Sequence, residues 1–371
     1  MSKILKNLPG PFLILALIGC NVINTHKANA GEGRVAPAVS MKTARSGHTA
    51  TLLNGNVLIA GGMSGNGNYF NTVEIYSQAT NKFRQGQNMS AARVGHTATL
   101  LPNGNVLIAG GYNGDYLASA EIYNPVTDRF TTTGQMTTPR SDHVAVLLNN
   151  GKVLLAGGVG SGWTFLASAE LYDPSTGTFT TTASMTTARE SHTATLLKSG
   201  KVLIAGGHKD RREAMTVYSS TEVYDPDRGT FLATGNMTIV RHKHAAALLP
   251  NGNVLIVGGS DKRDWRGQYA SAEIYDSIRG ECRATGDLSM ARFKLAGAVV
   301  SLPNGQILIA GGGQRLELYD PSTNSFNVVQ GQLDTARFFS AATLLQDGRV
   351  LITGGYDNNN EASEKAWIFK T

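Results

Sequence analysis

Apolar and polar positions recur along this chain in one fixed order. In the stretch 185–231 it reads Met185, Arg189 and His192, then Thr193-Ala-Thr-Leu-Leu197, a turn at Gly200, and the apolar run Val202-Leu-Ile-Ala205 closed by Gly206-Gly207. Glu222-Val-Tyr224-Asp-Pro226 and Phe231 complete the unit. The double glycine returns at Gly61/Gly62, Gly110/Gly111, Gly157/Gly158, Gly258/Gly259, Gly311/Gly312 and Gly354/Gly355. The interval is always roughly 50 residues, the mark of a repeat array rather than of independent domains.

Each part of the unit predicts a strand. The run after His192 mixes Ala and Thr with leucine, which suits a strand crowded against an axis. Val202–Ala205 is apolar on both faces, as for a strand sandwiched between sheets. Glu222–Asp225 is a third strand halted by proline, and Phe231 begins a fourth, more polar one. Lys198-Ser-Gly-Lys, Pro250-Asn-Gly-Asn and Asp173-Pro-Ser-Thr-Gly are turn signals between strands. Four antiparallel strands make one propeller blade. The chain is therefore predicted to be all-β, a seven-bladed propeller. The last unit has a degenerate third strand, Ala366-Trp-Ile-Phe369, and no fourth. Residues 34–41 are predicted to supply it, with Val35 in the aromatic slot, so that both chain ends latch one blade and leave no open sheet edge.

Double glycine, spaced Glu-x-Tyr, a later aromatic and a preceding arginine together resemble the kelch repeat, over residues 34–371. Phe83, Phe130, Phe179, Phe231 and Phe326 stand where that repeat more usually has Trp, and Cys282 takes the slot in the fifth unit. The resemblance implies a kelch-type propeller, and much of that family works through protein contacts. It also includes copper radical oxidases resembling galactose oxidase and sialic-acid mutarotases. The oxidases need a Tyr–Cys crosslink, and Cys282 falls in a strand-core slot. Neither copper nor any other cofactor is expected.

Composition adds limits. Forty-three glycines and 16% charged residues fit short strands and tight turns. The formal charge of +6 is spread without an arginine-rich run, which does not favour nucleic acid. Lys3 and Lys6 precede the apolar Phe12–Ile18, a stretch of signal-peptide length. Leu17-Ile-Gly-Cys20 resembles a bacterial lipobox, with 1–19 as signal peptide, Cys20 lipidated and 20–33 a tether. Cleavage after Ala30, giving free secretion, is the alternative. Asn21 rather than Asp implies the outer membrane under the rule for such lipoproteins. The expected product is an exported monomer, on the membrane only through its anchor.

Candidate function falls on the face carrying the longer, more varied loops. Arg45, Arg93, Arg140, Arg189, Arg241, Arg292 and Arg337 recur too regularly to be a site, and are expected to pair with the Glu-x-Tyr glutamates. His48, His96, His143, His192 and His244 occupy one repeat position and are read as structural. The positions after each arginine break the repeat, giving an acidic arc (Asp142, Glu190), a basic arc (His242, Lys243, Lys294) and an aromatic arc (Phe293, Phe338, Phe339). That mixture suits a polar ligand with an apolar face, such as a sugar. Loops of blades three to five add Trp163, Phe165, Arg211, Arg212, Tyr218, Arg263, Trp265, Arg266 and Tyr269, residue types that dominate contact surfaces. The expected function is a non-catalytic extracytoplasmic binding scaffold for a protein or glycan. The alternative is a sugar-modifying enzyme of the mutarotase type, drawing acid and base from Asp142, Glu190, Lys243 and Lys294.

Overall fold

The computed structural model describes residues 33–371. The signal segment, Cys20 and all of the tether but Gly33 lie outside the described residues. Within them, seven four-stranded antiparallel sheets form a β-propeller. The first six blades each use four successive main strands, as in Thr49–Leu53, Asn56–Ala60, Val73–Ser77 and Lys82–Gln85 of blade one. The first strands touch in cyclic order from blade one to blade seven and back to blade one, so the ring is closed.

Blade seven is built from both ends of the chain. Ala341–Leu344, Val350–Thr353 and Ala366–Lys370 are followed in the sheet by Arg34–Pro37. Val35 lies opposite Phe369, as Phe83 lies opposite Tyr76 in blade one. Both are buried, and Met41 is buried a few residues on. The predicted closure is therefore present, with Val35 in the aromatic slot.

Burial follows strand position. Second strands such as Val202–Ala205 are wholly buried, fourth strands such as Arg129–Thr132 mostly exposed. The third-strand tyrosine packs on the fourth-strand phenylalanine, at 4.8 Å between ring centroids for Tyr224 and Phe231. In blade five Tyr275 faces the half-buried Cys282. The double glycine is needed where blades meet. At Gly61 (φ 66°) an added Cβ would lie 2.6 Å from Arg93 O and 2.7 Å from His96 Cε1. The left-handed backbone and the missing side chain are both required there.

The recurrent arginines hold the blades in register. Arg93 is fully buried; its Nη1 donates to Gly110 O and Ser119 O, and its Nη2 to Ser119 Oγ and, at 2.8 Å, Glu121 Oε1. Glu121 also accepts from the Ser90 amide, tying crossing loop, glycine pair and third strand together. Arg45–Glu74, Arg140–Glu170, Arg189–Glu222, Arg241–Glu273 and Arg292–Glu317 repeat the pair. Blade seven departs from it. Trp367 takes the glutamate's position opposite Ile352, and Arg337 turns to Asp334 at 2.7 Å.

Candidate ligand-binding site at the channel mouth

The crossing loops meet the central channel in a ring of seven left-handed residues. Gly47, Gly95, Asp142, Ser191, Lys243, Lys294 and Phe339 have φ between 50° and 63°. Only glycine adopts this conformation without steric cost, so five of these positions carry strain. Several are linked by backbone hydrogen bonds: Gly47 N to Phe339 O, Asp142 N to Gly95 O, Lys243 N to Ser191 O and Phe339 N to Lys294 O.

The residue before each ring position faces the other way. Ser46, Val94, Ser141, Glu190, His242 and Phe338 bridge through their backbones to the loops after the double glycines. Glu190, His242, Phe293 and Phe338 are all buried. The arcs expected from sequence are thus divided, with Asp142, Lys243 and Phe339 at the mouth and those four inside its wall. The φ reversal between neighbours accounts for the split except at Lys294, which is left-handed yet buried in the wall.

Inside the wall runs a continuous chain of close polar contacts. Glu190 Oε1 lies 3.1 Å from His208 Nε2, His208 Nδ1 lies 3.2 Å from His242 Nδ1, and His242 Nε2 lies 2.9 Å from Ser260 Oγ and 3.2 Å from the Asp261 carbonyl oxygen. The Asp261 carbonyl can only accept, so the His242 proton sits on Nε2 and its Nδ1 accepts from His208 Nδ1–H. Burial, followed by the charge of Lys243, lowers the His242 pKa to about 3, keeping it neutral as this placement requires. Lys294 is enclosed nearby. Its Nζ is 4.2 Å from the Trp265 ring centroid, 4.7 Å from that of Phe293, and 2.5 Å from the Tyr356 hydroxyl. Burial brings its pKa down to about 8.

The mouth opens into a cavity of about 1020 Å³ that continues down the channel between Thr and Ala side chains of the first strands. Trp163 and Arg211 stand at its lip. The Arg211 guanidinium stacks 4.2 Å from the Trp163 ring and pairs with Glu190 at 3.0 Å. Trp163 meets Tyr116 edge-on, Tyr116 packs at a tilt on Tyr112, and Tyr112 meets Tyr69 edge-on. Lys243 is held by Asp264 at 2.9 Å. Asp142 is exposed to the channel, yet the funnel wall surrounds it. That enclosure and the charge of Glu190 raise its carboxyl to about 6, against the opposing Ser141 hydroxyl, Arg211 and Lys243.

The sequence pattern of the Attractin/LZTR1 β-propeller family matches residues 28–269, well over half of the chain. The chain belongs to that family. No curated protein sequence matches it. Among solved structures, a fungal alcohol oxidase of the AA5 family in complex with copper is similar to this Attractin/LZTR1-type propeller. The two are 17% identical, with a TM-score of 0.73 over 91% of this chain and 76% of that chain. At that identity the likeness speaks for the fold alone.

The remaining predicted contact residues separate by environment in this Attractin/LZTR1-type propeller. Tyr218 and Tyr269 cover Arg189 and Arg241, each ring centroid 5.4 Å from the guanidinium, and so belong to the buried arginine frame. Phe165 lies half-buried beneath Arg211, edge-on to His208. Arg212, Arg263, Trp265 and Arg266 are exposed on the loops outside the cavity lining. Sequence reasoning did not single out Tyr116, His208 or Asp264. Tyr112 and Tyr116, four apart in one loop, were the available signal for the aromatic wall.

The recurrent histidines are buried and, with one exception, bonded between blades. His96 Nε2 meets Thr49, His143 Thr97, His244 Thr193 and His48 Thr353. His192 would meet Val144, and neither of its ring nitrogens has a partner.

Proposed function

We propose that this protein is a non-catalytic, extracytoplasmic binding protein that takes a carbohydrate, free or displayed on a protein, at the mouth of its propeller. The observation that carries this reading is the cavity itself, of about 1020 Å³, where an aromatic wall, an open carboxylate and two cations converge. Such a mixture of apolar surface and a few placed polar groups is what a ligand pocket requires. The predicted export segment and Cys20 anchor would place that mouth outside the cytoplasm. Screening the purified protein on a glycan array, alongside recovery of partners from the membrane fraction, tests it. Absence of any glycan bound above background would refute it.

The second reading, a sugar-modifying enzyme, draws on one observation: Asp142 is raised to about 6, a value fit for proton transfer near neutrality. Its partners are poorly placed for that chemistry. Glu190 is committed to His208 and Arg211, Lys294 is sealed by aromatics, and Lys243 is held by Asp264. An anomerisation assay on wild type and Asp142→Asn decides it: a rate lost in the variant would favour the enzyme. Copper chemistry of the kind named for the fungal oxidase does not fit these residues. Cys282 lies on the outer strand of blade five, opposite a tyrosine whose hydroxyl is bonded to Thr234. No group of three or more His, Cys, Asp or Glu side chains among the described residues is placed to hold a metal.

A further inference from the structure

We infer that the ligand seats at the seam between blades three and four, and that it is a neutral sugar rather than a charged one. This rests on the carbohydrate reading above and deepens it. Two breaks in the repeat, and one amide without an acceptor, meet at that seam. Asp142 stands in the ring where blades one and two have glycine, and Gly95 leaves it room: a Cβ there would lie 3.0 Å from Asp142 Oδ1. The Ser191 amide, like those of Gly95 and Lys294 in the same ring, has no acceptor among the described residues. His192, directly after it, is the one recurrent histidine with no bond across its seam, because Val144 replaces threonine. Asp142, Ser191 and His192 all line the cavity, as do Trp163, Tyr116 and Arg211.

The charges select the ligand. Arg211 is matched by Glu190 and Lys243 by Asp264, whereas Asp142 has no salt-bridge partner among the described residues. An anionic sugar would meet the unpaired Asp142 carboxylate. A cationic ligand would meet Arg211 and Lys243. A neutral polyol can donate to Asp142, accept from the Ser191 amide and lay its C–H face on the Tyr116–Trp163 wall. The loops with Arg263 and Arg266 lie outside this seat.

The test is calorimetric titration of the full-length protein with methyl hexopyranosides, with the corresponding uronic acid and amino sugar as charged comparators. Four proteins are compared: wild type, Asp142→Asn, Trp163→Ala and the double variant Arg263→Glu/Arg266→Glu. Asparagine tolerates the left-handed backbone, so Asp142→Asn keeps the fold, and its melting temperature checks this. The expected result is binding of a neutral hexopyranoside by wild type and the double variant, weakened at least about tenfold in Asp142→Asn and Trp163→Ala. Binding that survives both single variants would overturn the seat while leaving the carbohydrate reading intact. Preference for the uronic acid or amino sugar would overturn the neutral class. Failure of wild type to bind any sugar would remove the carbohydrate reading and this inference with it.

Discussion

Asp142 shows how one residue's setting carries both a cost and a use. Its carboxyl titrates near 6 in the fold, against roughly 4 in an unfolded chain. The native state therefore holds the proton more tightly, and between about pH 4 and 6 the Asp142 contribution to stability falls as pH rises. The groups facing Asp142 are Glu190, which adds to the shift, and the Ser141 hydroxyl, Arg211 and Lys243, which oppose it. Urea titrations across this range should show a smaller decline in Asp142→Asn than in wild type. Ligand affinity should run the opposite way, rising as Asp142 ionises. A second residue-scale prediction concerns the buried pairs. Replacing Glu121 by Ala strands Arg93 without its counter-charge and should cost roughly 3–5 kcal/mol in denaturant unfolding. At this scale the sequence was readable where a residue does the same thing in every blade. The regular arginines and glutamates announced their pairing, because a charge repeated in a buried slot needs a repeated partner. Glu190, His242, Phe293 and Phe338 were not readable as wall residues. Nothing in Asp, Ser, Lys or Phe at the next position reveals a positive φ, and that φ decides which neighbour faces the channel.

The blade is the element that translates the repeat into shape. Second strands have no polar face because sheets cover both sides, and fourth strands can be polar because only one side is covered. This is why periodicity located the strands well. Blade seven is the informative exception, since its outer strand comes from residues 34–37. Removing residues 34–41 would expose the edge of Ala366–Lys370 and delete the buried Val35 and Met41. Burial of two such side chains contributes a few kcal/mol, so the truncated protein should melt roughly 5–10 °C lower. An unchanged melting curve would contradict the latch.

At the scale of the whole molecule, a rigid ring presents its irregular loops on one face. The frame that holds the blades and the loops that vary are therefore kept apart: the Arg–Glu pairs lie between blades, and variation gathers around the channel. The same separation bears on metal chemistry. Protein incubated with excess copper and then desalted should retain no stoichiometric metal, as measured by elemental analysis. One copper per chain would reveal a donor set outside the groupings described here. The closed ring also has a consequence for how the protein is made. Ribosomes produce the strand Arg34–Pro37 first, yet its partner Ala366–Lys370 is synthesised last. That strand must wait, unmatched, until Ala366–Lys370 has been made. A nascent chain halted before residue 366 would be an open horseshoe with two bare edges. Completion of the fold is thus deferred until Ala366–Lys370 emerges, and a chaperone has that whole interval in which to keep the chain from closing.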